Sequence, residues 1–372
     1  MLKVLHFYKT YYPDSFGGIE QVIFQLSEGT ANFNVENTVL VLSPRGDTDV
    51  SSFHKHNITS AKITFELAST PFSLNALTKF KKLAEKADII HYHFPYPFMD
   101  LIHFLAGVKK PTVVSYHSDV VKQKNILKFY KPLMHKFLGS VSRIVASSPN
   151  YVQTSPVLQC FRDKVSVIPF GIDEQSYPPV NDEKLAFWSQ QFSTPFFLFI
   201  GAFRYYKGLH ILLAAAKNAS YPIVIVGGGP AEAELKQQAA ELALDNVFFV
   251  GALEDADKFA LLKLCHGLVF PSHLRSEAFG ISLLEGAMFG KPLISCEIGT
   301  GTTYINIHNE TGIVIEPNNV GSLRNAMDLL ANNSQLAAQL GENAYKRYKD
   351  FFTYEQMINK YMAIYNDLSA KR

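Results

Sequence analysis

Two carboxylates eight residues apart, Glu277 and Glu285, are the first sign of chemistry in this sequence. They lie in VFPSHLRSEAFGISLLEGAMFGKPLIS, where an apolar run ends at Pro271 and Ser272 and a helix is expected from Gly280 or Ile281. Eight residues are slightly over two helical turns, so both carboxylates face one side if Glu277 stays near the helix start. The N–H groups near Phe279, Gly280 and Ile281 would then meet negative charge on a leaving diphosphate, with the helix dipole behind them. Glu285, set among Leu283, Leu284, Ala287 and Met288, needs a polar partner if buried, and sugar or ribose hydroxyls would serve. The plainer alternative is a surface Glu on an amphipathic helix.

Other loops carry weaker signals. Arg204 and Lys207 follow an apolar run in GAFRYYKGLHILLAAA, where two cations either neutralise a diphosphate or merely flank a helix in solvent. Gly17 and Gly18 precede an amphipathic helix, as a phosphate-binding helix start or as a tight turn. Gly227 to Pro230, including Gly229, lies near a nucleoside or is a plain turn. His91 and His93 share one face of a strand, with no third ligand at a zinc spacing. They line the acceptor side or satisfy strand-end hydrogen bonds. Asp119, beside His117, touches the acceptor or caps the next helix. Asp47 and Asp49 form D-x-D, a pattern that can hold a divalent metal, but they fall early in a polar loop and no metal site is expected there.

Taken together, the Glu277 to Glu285 spacing, the preceding PS, Phe279 and Gly280, the Arg204 and Lys207 loop, VIVGGGP and VSVIPFGID resemble family 4 retaining glycosyltransferases of GT-B fold. The likeness runs from Gly17 to about Glu316. It implies that Arg204 and Lys207 bind the donor diphosphate, that Glu285 binds ribose hydroxyls, and that Glu277 contacts the donor sugar near the reacting carbon. It also implies backbone contacts from Phe279, Gly280 and Ile281, a glycine loop at Gly17 and Gly18 across from the diphosphate, and a place for His117 near the donor sugar. Thr300 to Tyr304 depart from the Gly-Gly-then-acidic pattern common in the family. YKTYYPDSFGGIEQVIFQL is similar to mannosyltransferases that build bacterial O-polysaccharides, which implies GDP-mannose as donor and a glycan acceptor. A UDP-sugar donor, a UDP-sugar 2-epimerase and a non-catalytic glycan-binding protein are the competing readings.

The elements that must position these residues are legible as an alternation. Short apolar runs (LKVLHF, TVLVLS, DIIHYH, TVVSYH, RIVASS) alternate with longer amphipathic segments, the signature of parallel strands with helical crossovers. After the turn-rich stretch from Val167 to Asp182 the pattern restarts with FFLFIG, YPIVIVG, NVFFVG, GLVFPS and KPLISC. The expected α/β architecture is two Rossmann-like domains facing across a deep cleft: an acceptor-binding domain over 1–170 and a nucleotide-sugar-binding domain over 171–350. A helix over 351–372 packs back on the first.

Composition bounds the rest. A chain of 372 residues with 47% hydrophobic and 18% charged residues has material for two cores. A formal charge of +2 without a long basic run argues against nucleic acid. Three scattered cysteines fit neither a disulfide framework nor a thiolate metal site, which points to the cytoplasm. Lys79 to Lys86 and Val121 to Leu138 interleave basic and apolar residues, as in helices lying on an anionic membrane, where the acceptor would be a lipid-linked oligosaccharide, or in ordinary helices with a wet basic face. No cofactor and no metal are expected.

Overall fold

A computed structural model describes residues 1–15, 17–67, 70–120, 124–177 and 179–371. The chain forms two units, Met1–Phe170 together with Tyr354–Arg372, and Gly171–Thr353. Each is a parallel sheet with helical crossovers.

In the first unit the order is β1 (Leu2–Phe7), α1 (Gly18–Ala31), β2 (Val35–Ser43), β3 (Ser51–Phe53), β4 (His56–Lys62), β5 (Phe65–Leu67), β6 (Thr70–Phe72), α2 (Ala76–Lys86), β7 (Ile89–Phe94) and α3 (Pro97–Leu105). It continues with β8 (Thr112–Tyr116), α4 (Lys124–Ser140), β9 (Arg143–Ala146), α5 (Pro149–Thr154), α6 (Pro156–Gln159) and β10 (Val165–Val167). The main sheet runs β10-β9-β8-β7-β1-β2-β4-β3, parallel except where β3 turns back on β4. Because β1 leads outward to β2 and β4 while β7 to β10 extend the other way, the chain changes direction between β1 and β7. In open α/β sheets such a switch point is where ligands bind.

In the second unit α7 (Asp182–Gln191) leads to β11 (Phe197–Ile200), α8 (Leu209–Ala216), β12 (Ile223–Val226), α9 (Glu232–Glu241), β13 (Val247–Gly251), α10 (Asp255–Leu264) and β14 (Gly267–Phe270). Then follow α11 (Ile281–Met288), β15 (Leu293–Cys296), α12 (Thr302–Ile305), β16 (Gly312–Ile315), α13 (Val320–Ala331) and α14 (Ser334–Phe351). The all-parallel order β13-β12-β11-β14-β15-β16 puts its switch point between β11 and β14. Its strands are continuously apolar because both faces are covered. Helix α14 comes very close to the carboxyl end of α11: a Cβ on Gly341 would collide with the Gly290 carbonyl.

The last helix, α15 (Tyr354–Ala370), belongs to the first unit. Met357, Ile358, Tyr361, Met362, Tyr365 and Leu368 form its buried stripe at helical spacing. Gly29 lets α1 lie against it, since a Cβ there would be 2.5 Å from Ile358 Cδ1. The Tyr365 hydroxyl bonds His91 Nδ1 at 2.6 Å, and that of Tyr361 bonds Ser115 Oγ at 2.8 Å. Buried tyrosines need such partners.

Among the described residues no helix is long and apolar enough to cross a membrane. Of the two segments expected at a membrane surface, α2 commits one cation elsewhere. Lys79 Nζ donates to the carbonyls of Thr48 (2.6 Å) and Ser60 (2.9 Å), while Lys81, Lys82 and Lys86 stay exposed. In α4, Lys128, Phe129, Lys131 and Lys136 are exposed, and Phe129 is 88% so; Val121 to Gln123 fall outside the described residues.

Candidate functional site

The loops after β11 and β14 meet at the switch point of the second sheet. After β11 the backbone passes Arg204 and makes one 3-10 turn, Tyr205–Lys207, ending at Gly208 with φ 74°. Only glycine fits there, because a Cβ would run into the Pro271 carbonyl just past β14. The His273 N–H donates to the Tyr206 carbonyl at 3.0 Å, which ties the two loops together.

This closure brings Lys207 to Glu277. Lys207 Nζ lies 2.5 Å from Glu277 Oε2, which also accepts from Ser272 Oγ at 3.1 Å. Both charged side chains are nearly buried, and the ammonium lies over the Phe270 ring at 4.9 Å from its centroid. Burial pulls the Lys207 ammonium down, but the adjacent Glu277 carboxylate and its hydrogen bond more than reverse this, leaving it above its ordinary value. Lys207 is a fixed cation. Arg204 beside it is exposed and has no side-chain hydrogen bond among the described residues.

Gly280 caps α11 at φ 101°, so the chain turns from Glu277 into the helix through a left-handed residue. The N–H groups of the first turn of α11, including Ile281, have no intrahelical acceptor and carry the positive end of the helix dipole. Phe279 is buried against Gly301, where a Cβ would be 2.5 Å from its ring, and the Gly301 N–H donates to the Ala278 carbonyl at 2.8 Å. The Thr300 to Tyr304 segment, whose sequence departs from the family pattern, thus buttresses the Glu277 loop.

Glu285 is buried with partners that sequence reading missed. Its Oε1 accepts from the Tyr177 hydroxyl at 3.1 Å and from Lys258 Nζ at 3.0 Å. Lys258 also pairs with Asp255, and although burial lowers its pKa, the two carboxylates raise it above the usual value. Oε2 of Glu285 makes no hydrogen bond among the described residues, so one carboxylate oxygen remains for a hydroxyl. Another missed group is His273, whose ring nitrogens are both buried without a partner, beside Tyr205 and His210.

The glycine loops have local structural reasons. Gly227 and Gly229 let the turn after β12 press against the backbone of Gly201 and Phe203, and the Phe203 N–H donates to the Gly228 carbonyl at 2.8 Å. Gly229 therefore sets the course of the loop that carries Arg204. At the start of α1, Gly18 is open and exposed, whereas a Cβ on Gly17 would strike the Glu20 carboxylate. That carboxylate is buried and accepts from Thr10 (2.8 Å) and Ser15 (2.7 Å), so the helix start holds a negative charge of its own.

In the first unit the β1/β7 switch point is lined by histidines. His6 and His91 are register partners on β1 and β7, His93 follows two residues on, and His117 lies just past β8. His6 Nδ1 is 3.1 Å from His93 Nε2, and His93 Nδ1 is 3.1 Å from His117 Nε2. His6, His91 and His93 also bring ring nitrogens close enough to suggest a metal site. Their donor set does not fit one: His6 Nδ1 and His93 Nε2 already face each other in a hydrogen bond, and the second nitrogen of each ring is engaged by Asn37 and His117. Both nitrogens of His91 are already bonded, to Tyr365 and to Ser115 Oγ at 2.8 Å. His93, expected on the acceptor side, is fully buried with both nitrogens engaged and touches other protein groups.

Asp119 is drawn into the fold: its Oδ1 accepts from Tyr116 (2.8 Å) and Ser155 (2.6 Å). Asp47 accepts from Asn75 at 2.8 Å and pairs with Lys79, and Asp49 is exposed. The hydrogen bond from Asn75 holds the Asp47 carboxyl below its ordinary value. These contacts fix a loop, and the two aspartates hold no common ligand set.

The chain is similar to known proteins along nearly its whole length. Residues 16–176 match the model for Glycosyltransferase Family 4, and residues 182–347 that for Glycosyl transferases group 1. The sequence is 54% identical over 352 residues to D-rhamnosyltransferase WbpZ of Pseudomonas aeruginosa, covering 95% of this chain and 92% of the relative. It is 52% identical over 367 residues to the O-antigen chain mannosyltransferase C of Escherichia coli, covering 99% of each. Among solved structures, sucrose-phosphate synthase from Thermosynechococcus elongatus superposes with a TM-score of 0.82 at 20% identity over 100% of both chains. Anabaena HepE in complex with UDP gives 0.80 at 17% identity over 99% of this chain and 100% of that one. At such identities the structures speak for the GT-B fold, and the sequence relatives speak for the family. With near-complete coverage at more than half identity, the chain belongs to family 4 of the glycosyltransferases and is a hexosyltransferase.

Proposed function

We propose that the protein transfers mannose from GDP-mannose, with retention of configuration, to a hydroxyl of a lipid-linked glycan during assembly of a cell-surface polysaccharide. The observation that carries this reading is the cationic corner at the β11/β14 switch point, where Lys207 is clamped by Glu277 beside exposed Arg204 and the open first turn of α11. As the bond from sugar to diphosphate breaks, negative charge grows on the leaving oxygens. Arg204, Lys207 and the N–H groups from Gly280 and Ile281 would stabilise it without rearranging. Glu285, fixed by Tyr177 and Lys258, would take ribose hydroxyls through its unoccupied oxygen. Glu277 would orient the sugar; in the first unit, the family resemblance gives His117 a sugar hydroxyl to bind and Gly17 and Gly18 a place in the glycine loop.

The mannosyl donor rests on the 52% identical mannosyltransferase. The 54% identical D-rhamnosyltransferase supports a second reading. D-rhamnose is 6-deoxy-D-mannose, so the two donors differ by one oxygen. A transfer assay on purified protein with GDP-mannose, nucleotide-activated D-rhamnose and UDP-sugars tests the assignment, and faster transfer from a UDP-sugar would overturn it. EDTA should leave the rate unchanged, since the charges proposed for the leaving group come from side chains and backbone. The exposed Phe129 between Lys128 and Lys131 supports docking on anionic lipid. Failure to sediment with anionic vesicles at low salt would remove the membrane from the scheme.

A further inference from the structure

The histidines of the first unit form a chain of hydrogen bonds whose direction is forced from one end. Carbonyl oxygens can only accept, so Thr30 Oγ1 donates to the Leu26 carbonyl at 2.7 Å, and Asn37 Nδ2 donates to the Ser27 carbonyl at 2.9 Å. Asn37 Nδ2 also donates to Thr30 Oγ1 at 2.9 Å, which leaves Oδ1 as the atom facing His6. His6 Nε2, 3.3 Å from that oxygen, must carry a proton. A neutral imidazole has one N–H, so His6 Nδ1 accepts from His93 Nε2. His93 Nδ1 in turn accepts from His117 Nε2. The only nitrogen left over is His117 Nδ1, which has no hydrogen bond among the described residues.

This order of donors and acceptors holds for neutral rings, and burial keeps them neutral. It pulls His6 and His117 down to about 3 and His93 well below its usual range. Each link is shielded from water, since His6 and His93 are fully buried and Asn37 is too. Each pair of rings is tilted by only 22° (His6 and His93) or 14° (His93 and His117), with centroids 5.4 Å and 5.3 Å apart, so the rings meet edge to edge, as the two N–H···N bonds require.

We propose that Asn37, His6 and His93 are positioning residues that lock His117 as its Nε2–H tautomer, so that Nδ1 is presented as a hydrogen-bond acceptor for a substrate hydroxyl. The last step rests on the reading of His117 as a sugar-facing residue. The tautomer lock does not. A group that can only accept favours a sugar carrying a hydroxyl at that point over the analogue lacking it, because a buried acceptor left unpaired is unfavourable.

Histidine-selective 15N labelling of the full chain, read by long-range proton–nitrogen correlation, reports the protonation of each ring nitrogen; the His117→Gln variant identifies the His117 signals. The expected spectrum shows protonated Nε2 and bare Nδ1 at His117. An Nδ1–H tautomer, or a cationic ring near neutral pH, overturns the proposal before any of the positioning residues is changed. Asn37→Leu and His93→Phe should each release it to a mixture. A His117 spectrum that stays unchanged in both variants would overturn the lock. Released variants should lose about ten- to hundredfold in kcat, as for removal of partners that orient a functional ligand, while GDP affinity by calorimetry stays unchanged. If the tautomer is locked as expected but His117→Gln transfers sugar normally, the lock stands and the sugar-facing role falls.

Discussion

Lys207 is held by partners of different kinds: the Glu277 carboxylate, and the faces of Phe270 and, at 5.4 Å from its centroid, Tyr206. Removing the ammonium deletes a diphosphate contact and leaves Glu277 buried without its counter-charge. Lys207→Ala should therefore lower transfer on the order of 10²- to 10³-fold and stability by about 1–3 kcal/mol, measured by kinetics and urea titration. Glu277→Ala should cost comparably in rate while the circular dichroism spectrum stays native; a near-normal rate would exclude its role at the sugar. Lys258→Met tests Glu285 from the side, since it leaves the carboxylate in place but removes one of its two clamps. Nucleotide affinity should fall about tenfold by calorimetry, and unchanged affinity would detach Lys258 from the site. Glu277 and Glu285 were legible because both sit on one short stretch with a helix start between them. Tyr177 and Lys258 were not, because they reach Glu285 from segments 108 and 27 residues away, and nothing local marks them. His6 was hidden likewise, as a single polar residue in an apolar strand whose meaning comes from its register with β7.

At the scale of elements, the site depends on how closely α11 is pinned from behind. Gly341 in α14 abuts the Gly290 carbonyl at the end of α11. Alanine in a helix interior normally gains up to about 1 kcal/mol over glycine, but here the new Cβ meets backbone that has no flexible end to move aside. Gly341→Ala should destabilise by about 1–3 kcal/mol net in denaturant titration, and a stabilised variant would show that α14 can slide. Strands β1, β2, β7 to β9 and β11 to β15 were readable as apolar runs alternating with helical segments, whereas β3 to β6, β10 and β16 were not among those runs. Lys79 shows the limit of period: α2 has an amphipathic pattern, yet this lysine bends to two carbonyls of the β3 and β4 region that only the folded sheet supplies.

For the whole molecule, the buried histidines predict how stability responds to acid. His6 and His117 are held at about 3 and His103 at about 4 by burial, against 6.5 when unfolded. Between those values the unfolded chain binds more protons than the folded one, so stability is fully present above about pH 6.5 and declines as pH falls towards the folded values. The Tm should drop steadily from about pH 7 to about pH 5, and His6→Gln should flatten the slope; a pH-independent Tm in the parent protein would contradict neutral burial. The order in which a ribosome releases the chain adds a different consequence. The second unit, Gly171–Thr353, is contiguous and has all its residues while synthesis is still under way. The first unit starts earlier yet finishes later, because α15, whose Tyr361 and Tyr365 close over Ser115 and His91, is made after every residue of the second unit. A nascent chain therefore carries its polar histidine layer uncovered until α15 has been made, so the second unit can fold before the first has its full core.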